Sequence, residues 1–477
     1  MIWTVILLVH ALLLYFILTD RSRSKKEPPL DKGLIPWLGH ALEFGKDASK
    51  FLNRMKMKHG DIFTVRAAGR YVTVLLDPHS YDAVINDSES LDFTRYAQVL
   101  MERIFNLRLS HHQMAKAKVV MKKHFMGMNL ATLNSTMDRH LQALLKAEMP
   151  PNQKDWKEEG LFDFSYRLLF KAGYLTLFGA EQNNNSTDPS SVYEGYKTFD
   201  GLLTKMARGT LKSEERRTAQ SLRQRLWELL APAGLTEDSV SSHWLYAYRR
   251  LLKEEGADEE TQKRAVLMQL WATQGNVGPA AFWLLGYLLT NSKALMAVKR
   301  EFSQISQMET SETPVFDSAL EESLRLTAAP FITREVVREK TLHMADGQEY
   351  LLRKGDRVCL FPFNSPQMDP EIYHEPQKYK YNRFLNKDGS VKKSFYKGGK
   401  QLKYYTMPWG AGTNGCVGKQ FAINTIRQFV YKVLTNYDVE LCDPNAQMPG
   451  VNAGRYGFGM LQPEGDLLVR FKLRKTH

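Results

Sequence analysis

The chain has 477 residues, and its 65 Lys and Arg against 52 Asp and Glu give a formal net charge of +13. This length can bury a core around a sizeable cofactor, and the absence of a Pro-, Gly- or Ser-rich linker favours one large domain behind a short appendage. The positive charge suits an anionic membrane surface or an acidic partner. We expect no nucleic-acid partner, because the sequence has neither zinc-finger spacing nor an aromatic-basic strand motif.

Residues 1–19, MIWTVILLVHALLLYFILT, form an apolar run that is followed at once by RSRSKK. At ~1.5 Å per residue the run can just span a hydrocarbon core of roughly 30 Å. A cleaved signal peptide would carry its positive charges before the run, whereas charges after it leave the rest of the chain in the cytosol. We therefore predict a single-pass transmembrane signal anchor at 1–19, in the endoplasmic reticulum membrane, and a basic, proline-bearing stalk at 20–36. The alternative for 1–19 is a buried core helix.

Residues 37–477 are predicted to form one domain that is mainly α with small β-sheets, an α+β fold. The β-branched residues of 61–76, with a Gly-Arg turn, predict a hairpin followed by a helix. Helical patterns dominate to about residue 330, and polar loops are predicted at 181–192 and 308–315. Further strands are predicted at 331–337, 340–344, 349–352, 357–362 and 466–473.

A long apolar helix is predicted from near Asp258, whose acidic neighbours indicate a helix start, to about Asn291. Its centre reads Gly-Asn-Val-Gly-Pro at 275–279. Gly and Pro weaken a helix interior by about 1 and 3 kcal/mol relative to Ala. Three such residues within so short a stretch predict an interruption that has a local reason.

Cys416 is one of three cysteines, with Cys359 and Cys442, and this odd, sparse set does not indicate a disulfide framework. A glycine-rich segment, WGAGTNGCVG, surrounds it and leads into a helical pattern. Glycines let the backbone approach a flat ligand, and a thiolate at a helix N-terminus is stabilised by the dipole and by free amides. The segment thus predicts an anionic metal ligand at Cys416, the alternative being an inert buried cysteine.

This segment resembles the haem-binding loop of the cytochrome P-450 superfamily. The resemblance implies the P-450 fold, with haem b (heme b, iron protoporphyrin IX) between the long central helix and the Cys-bearing helix, and makes 37–477 a haem-thiolate catalytic domain. It implies Cys416 as the metal ligand and a cofactor-binding loop. The loop residues concerned are Trp409, Gly410, Gly412, Asn414 and Gly418. Trp409 stands where Phe is commoner, and Asn414 stands where a basic residue is usual.

Further segments match the superfamily in order along the chain. Glu322-Ser-Leu-Arg325 places an acid and a base on one helix face, and the resemblance implies that Arg383 completes a structural ion triad with them. Arg334 is implied as a haem-propionate partner. The superfamily's Trp-x-x-x-Arg motif is not visible in HHQMAKAKVVMKKHF, so the second propionate contact is not assigned.

The centre of the long helix departs from the oxygen-activating members. Those members carry an acid and a threonine there, which deliver protons to iron-bound dioxygen. Here the positions hold Asn276-Val-Gly-Pro279, which leaves a neutral amide able to donate a hydrogen bond near the iron. The alternative is that Asn276 only caps a kinked backbone. A site without the proton relay suits a substrate that already contains an O–O bond.

Stretches such as GDIFTV, LWATQGN and ESLRLTAAPFITREVV resemble the branch of the superfamily that isomerises prostaglandin endoperoxides. This implies a monomeric isomerase that acts on prostaglandin H2, a small lipid, by haem-iron-mediated homolysis of the O–O bond and rearrangement. It implies no need for dioxygen, NADPH or an obligatory reductase. The alternatives are a sterol or bile-acid monooxygenase fed by a reductase, and a non-catalytic haem-binding sensor.

Candidate substrate-binding residues come from the segments that line the distal side in this superfamily. They are Tyr96, Leu100, Arg103, Leu109, Trp271, Asn276, Thr333, Arg334, Arg357 and Phe458. The apolar and aromatic members have plain core packing as their alternative. Arg103 and Arg357 are candidates for binding a fatty-acid carboxylate, with an ordinary surface position as the alternative.

Overall fold

The computed structural model describes residues 24–148, 155–179, 188–231, 243–305 and 311–474, together with a few residues before 12. The predicted anchor at 1–19 therefore lies largely outside the described residues. By its internal contacts the chain divides into two units. A sheet unit comprises Met1–Tyr96, Pro330–His374 and Phe395–Asn414, and a helical unit comprises Ala97–Ala329, Glu375–Ser394 and Gly415–His477.

The helices are α1 Ala41–Lys46, α2 Ala48–His59, α3 Asp82–Ile85, α4 Phe93–Phe105, α5 His111–His124, α6 Gly127–Glu148, α7 Leu161–Leu177, α8 Pro189–Arg208, α9 Ser213–Leu230, α10 His243–Glu254, α11 Glu259–Gln274, α12 Val277–Leu289, α13 Ser292–Ser303, α14 Pro314–Thr327 and α15 Lys419–Asn436. The strands are β1 Leu30–Asp31, β2 Ile62–Ala67, β3 Arg70–Leu75, β4 Leu91–Asp92, β5 Lys157–Gly160, β6 Ile332–Val336, β7 Lys340–His343, β8 Glu349–Leu352, β9 Arg357–Leu360, β10 Tyr396–Lys397, β11 Lys400–Gln401, β12 Tyr437–Leu441 and β13 Leu468–Leu473. The predicted mainly α fold with small sheets is confirmed.

The sheet unit is built on a mixed sheet with the strand order β1-β2-β3-β9-β6-β4. Strands β2 and β3 form the predicted hairpin, in which Ala67 pairs with Arg70 across a tight turn. Both turn residues, Ala68 and Gly69, have positive φ, at 49° and 75°, and this left-handed conformation matches the twist of the paired strands. One face of the sheet packs on a buried cluster that includes Val84 and Ile85 of α3.

The stalk was predicted to extend to residue 36, and the structure corrects this boundary. Leu30 and Asp31 form β1, which pairs in parallel with β2. Glu27 is buried, and its carboxylate lies 2.5 Å from the guanidinium of Arg353. Described residues from about 24 onward therefore belong to the folded sheet unit.

The helical unit is organised around α12, whose side chains are buried from Gly278 through Gly286. The preceding helix, α11, begins where the sequence predicted, because the Asp258 carboxylate accepts a hydrogen bond from the Thr261 N–H at 2.7 Å. A small antiparallel sheet of order β12-β13-β5 completes this unit. In the described part of the chain, no single helix is both long and apolar enough to cross a bilayer. The segment α11–α12 and α13, which meet at a bend of 108°, are long and apolar enough only when taken together.

Candidate haem-thiolate site

Positive φ angles shape the loop that leads to Cys416. Gly410 has φ 68° and Gly412 has φ 63°, a region that side chains with a Cβ rarely adopt. A Cβ on Gly412 would also lie 2.6 Å from Cγ2 of Ile85. Glycine is therefore required at 412 for two independent reasons. Asn414 closes a short 3-10 turn after it and is exposed.

The thiol of Cys416 lies at the N-terminal end of α15. Desolvation by the surrounding loop raises the pKa of the Cys416 thiol. Hydrogen bonds from the N–H groups of Gly418 and Lys419, and the charge of Lys419, act to lower this pKa. The side chain is nevertheless exposed to solvent. Amide donors at a helix start, aimed at an accessible sulfur, are suited to a thiolate that binds a metal.

Two buried donors in the sheet unit fit an anionic ligand. Arg334 is 3% exposed; its Nη1 donates to the carbonyl of Thr333 at 3.0 Å, and its guanidinium lies 5.2 Å from the centroid of the Phe93 ring. Burial lowers the pKa of Arg334 and the charge of Asp92 partly offsets this, while within the described ranges no carboxylate lies at ion-pair distance from its guanidinium. The buried Nε1–H of Trp409 likewise has no acceptor among the described residues. An unpaired buried donor such as this indole N–H is costly; haem propionates would supply an acceptor for it and a counter-charge for Arg334.

The other predicted residues of the sheet unit have ordinary partners. Thr333 is buried, and its Oγ1 lies 3.6 Å from Sγ of Cys359. Arg357 is half-buried and stacks over Tyr96, 5.2 Å from the ring centroid. The structure thus brings Arg357 and Tyr96 together.

In the helical unit, the predicted long helix is interrupted at Gly275 and Asn276, between α11 and α12. The sequence predicts a local reason for the glycines at this interruption, and the structure shows one. A Cβ on Gly278 would lie 2.8 Å from Cα of Tyr166 on α7, and a Cβ on Gly275 would lie 2.8 Å from the hydroxyl of Tyr196 on α8. The glycines allow close packing against these two tyrosines.

The side chain of Asn276 has a defined orientation. Its Oδ1 accepts a hydrogen bond from the N–H of Met460 at 3.0 Å. Because an N–H can only donate, this contact assigns Oδ1 to that side and leaves the Nδ2 group, a donor, for another partner. A Cβ on Gly459 would lie 2.5 Å from the same Oδ1. Asn276 therefore anchors the 454–460 loop and presents an amide N–H₂, so it does more than cap a kinked backbone.

The remaining pocket candidates of this unit differ in exposure. Trp271 is half-buried against Phe105, with ring centroids 5.9 Å apart. Leu109 is buried and Leu100 is half-buried. Arg103 is exposed, and its Nη1 donates to the carbonyl of Ala207 at 2.9 Å. Arg103 therefore takes the ordinary surface position that was the alternative to carboxylate binding. The guanidinium of Arg208 lies 5.7 Å from the centroid of the Phe458 ring.

The predicted ion triad forms a closed, buried network in the helical unit. Glu322 and Arg325 are both 0% exposed and form two hydrogen bonds, Nε to Oε2 at 2.7 Å and Nη2 to Oε1 at 2.9 Å. Arg383 donates its Nε to Oε1 of Glu322 at 2.8 Å. The Lys380 backbone N–H donates to the same oxygen at 3.1 Å. A buried ion pair with this geometry is strongly destabilised by the loss of one partner.

Sequence reasoning missed the partners that fix these side chains. Met460 lies 184 residues from Asn276, and no local pattern indicates such a contact. Gly459 gave a usable signal, since RYGFGM holds two glycines that break a strand-like pattern, as at a close backbone approach.

Comparisons with known proteins give a consistent answer. The family model described as "Cytochrome P450" matches residues 28–469. The chain is 51% identical over 476 residues to prostacyclin synthase of Bos taurus and of Homo sapiens, covering 95% of each chain. It is 38% identical to the 7-alpha-hydroxycholest-4-en-3-one 12-alpha-hydroxylase of Homo sapiens, over 96% of this chain and 95% of that one.

A solved structure supports the fold. The retinoic acid bound cyanobacterial CYP120A1 has a TM-score of 0.70 and 18% identity, covering 94% of this chain and 100% of that chain. At this identity the likeness concerns the fold alone. The family model and the relatives show that the chain belongs to the cytochrome P450 family.

Proposed function

We propose that this protein is an isomerase that converts prostaglandin H2 to prostacyclin, prostaglandin I2, at a haem-thiolate centre without dioxygen or NADPH. The relatives that are 51% identical over nearly the full length are prostacyclin synthases. The structural observation that carries the proposal is Asn276, an oriented amide at the helix break where the oxygen-activating members hold an acid and a threonine.

The residues present fit haem b. Cys416 would supply the thiolate that binds the haem iron, with the N–H groups of Gly418 and Lys419 stabilising its charge. Arg334 and Trp409 hold the buried donors that would take the propionates. When bound, the haem supplies the one-electron chemistry that breaks an O–O bond.

The chain itself positions the lipid and keeps proton donors away from the peroxide. Asn276 would donate from Nδ2 to an oxygen of the endoperoxide, since its Oδ1 is already occupied by Met460. Val277, Gly278 and Pro279 offer no ionisable side chain and no hydroxyl. A peroxide bound there would rearrange without a delivered proton, because no neighbouring group on this turn can supply one.

We further propose that the chain is anchored in the endoplasmic reticulum membrane by residues 1–19, with its catalytic domain in the cytosol, and acts as a monomer without a reductase. The apolar run, the RSRSKK that follows it and the net charge of +13 support the anchor. The missing proton relay supports independence from a reductase.

The test is anaerobic incubation of the purified haem protein with prostaglandin H2 and no NADPH. We expect stoichiometric conversion to prostacyclin, detected by mass spectrometry as its hydrolysis product. The 12-alpha-hydroxylase relative favours the monooxygenase alternative. On that alternative, the protein would hydroxylate a sterol, and would do so only when a reductase, NADPH and dioxygen are supplied. A protein that binds haem but consumes neither substrate would be the sensor.

A further inference from the structure

The loop 454–460 connects two polar side chains of the helical unit. At its start, Nη2 of Arg208 donates to the carbonyl of Gly454 at 2.8 Å, and the Arg208 guanidinium lies 5.7 Å from the centroid of the Phe458 ring. At its end, the N–H of Met460 donates to Asn276. A stretch of this length covers at most roughly 22 Å when fully extended. The cation and the amide are thus held by one short loop.

One arginine of this loop, Arg455, and one that contacts it, Arg208, differ in how their charge is neutralised. Arg455 is buried, with Nη1 3.0 Å from Oδ2 of Asp200, which also accepts a hydrogen bond from Gln462 at 2.8 Å. Arg208 is half-buried, and in the part of the chain that the structure describes no carboxylate forms an ion pair with it. Partial burial of an unneutralised guanidinium is unfavourable. Arg208 therefore has both the charge and the free donors for an external anion.

The backbone fixes the position of Arg208. It is the last residue of α8, which ends at Gly209 in the left-handed conformation with φ 71°. The neighbouring carbonyl of Ala207 accepts a hydrogen bond from exposed Arg103, which adds a second positive charge beside the helix end. An anion at this point meets two cations, of which only Arg208 contacts Phe458, one of the pocket candidates.

We propose that Arg208 binds the carboxylate of the fatty-acid-derived substrate, an inference that rests on the function proposed above. A guanidinium offers paired N–H donors that match the two oxygens of a carboxylate. Asn276, at the other end of the loop, would take the peroxide oxygen. The loop would then fix the positions of both the carboxylate and the peroxide of an acidic lipid. A neutral sterol lacks the carboxylate that Arg208 would bind. This assigns to Arg208 the contact that the sequence suggested for Arg103 or Arg357.

The experiment compares the endoperoxide acid with its methyl ester on the haem-loaded protein. Arg208→Gln should lower kcat/KM for the acid by roughly 10- to 100-fold, mainly through KM, because a charge-assisted hydrogen bond is lost. The rate with the ester should stay within about two-fold, and Arg208→Lys should restore most of the preference for the acid. Arg250→Gln is the matched control, because Arg250 is an exposed arginine of α10 whose charge is already paired with Glu254 at 2.8 Å, and it should leave the acid-to-ester ratio unchanged. Arg208→Met replaces the Gln variant if that variant does not incorporate haem.

Equal decreases in kcat/KM for acid and ester in the Arg208→Gln protein would overturn the proposal. Arg208 would then serve only to hold the loop through its hydrogen bond to Gly454. A second measurement is independent of turnover: the haem absorption is titrated with a long-chain fatty acid and with its methyl ester. The wild-type protein should bind the acid more tightly, and Arg208→Gln should abolish the difference. A protein that does not convert the endoperoxide fails the proposed function, but this titration still decides the role of Arg208, since equal affinity of the wild type for acid and ester refutes it.

Discussion

Asn276 carries an acceptor and a donor, and two substitutions separate their effects. Oδ1 accepts from the N–H of Met460, while Nδ2 is proposed to donate to the substrate. Asn276→Ala removes both groups. Asn276→Asp keeps an oxygen for Met460 and, in its ionised form, replaces the Nδ2 donor by a negatively charged acceptor.

The burial of Met460 determines how much stability each variant should lose. Met460 is 6% exposed, so its N–H loses its acceptor in a buried position in the Ala variant, at a cost of about 1 to 3 kcal/mol in the free energy of unfolding. The Asp variant should keep most of that stability. Loss of the donor should remove about 1 to 3 kcal/mol of transition-state stabilisation in both variants, which corresponds to a turnover slower by roughly 5- to 150-fold.

The assay is single-turnover conversion of prostaglandin H2 per haem, with denaturant unfolding measured on the same samples. Asn291→Asp is a matched control, because Asn291 caps α13 by accepting from the N–H of Ala294 at 3.1 Å and has no proposed role in turnover. If Asn276→Asp converted substrate at the wild-type rate with the same product, Nδ2 would not be a donor in the reaction, and Asn276 would serve only to hold the 454–460 loop.

Cys416→Ala should abolish the haem-thiolate spectrum and all turnover, and a retained thiolate spectrum would show that the ligand is another residue. Gly278→Ala should destabilise the protein by about 1 to 3 kcal/mol through overpacking against Tyr166, whereas Gly201→Ala, on α8 with nothing within 4 Å of its Cβ position, should be neutral or stabilising in the same unfolding assay. Deleting residues 1–19 should change membrane association from integral to peripheral and extractable by salt; resistance of the truncated protein to high salt would indicate a second inserted segment.

Much of the fold follows from local sequence pattern. The β-branched run at 61–76 predicted the hairpin of β2 and β3, and Asp258 predicted the start of α11, because each signal lies within a few residues of the structure it specifies. The two-residue strands β1 and β4 were not predicted, since so short a segment carries no periodicity. The loop predicted at 181–192 extended too far, because α8 already begins at Pro189.

The candidate site was predictable only where a motif carried it. The segment around Cys416 and the pair Glu322 and Arg325 were identified from short motifs by resemblance. The reasons for Gly275 and Gly278 were not, because Tyr166 and Tyr196 approach them from other helices. Long-range contacts of this kind leave no local pattern, and for the same reason the sequence left Arg103 open between carboxylate binding and the surface position in which the structure places it.

The buried network of Glu322, Arg325 and Arg383 has a consequence for inherited variation in this chain. Loss of Glu322 leaves the fully buried charge of Arg325 uncompensated and costs about 3 to 5 kcal/mol, a large part of the 5 to 15 kcal/mol that typically holds a domain folded. Loss of either arginine leaves Glu322 with the other one and should cost less. Missense variants at these positions should therefore reduce the amount of protein in the cell through degradation. The molecules that do fold and bind haem should keep near-normal kinetics, so measuring activity per cell would suggest a catalytic defect where the true deficit is abundance.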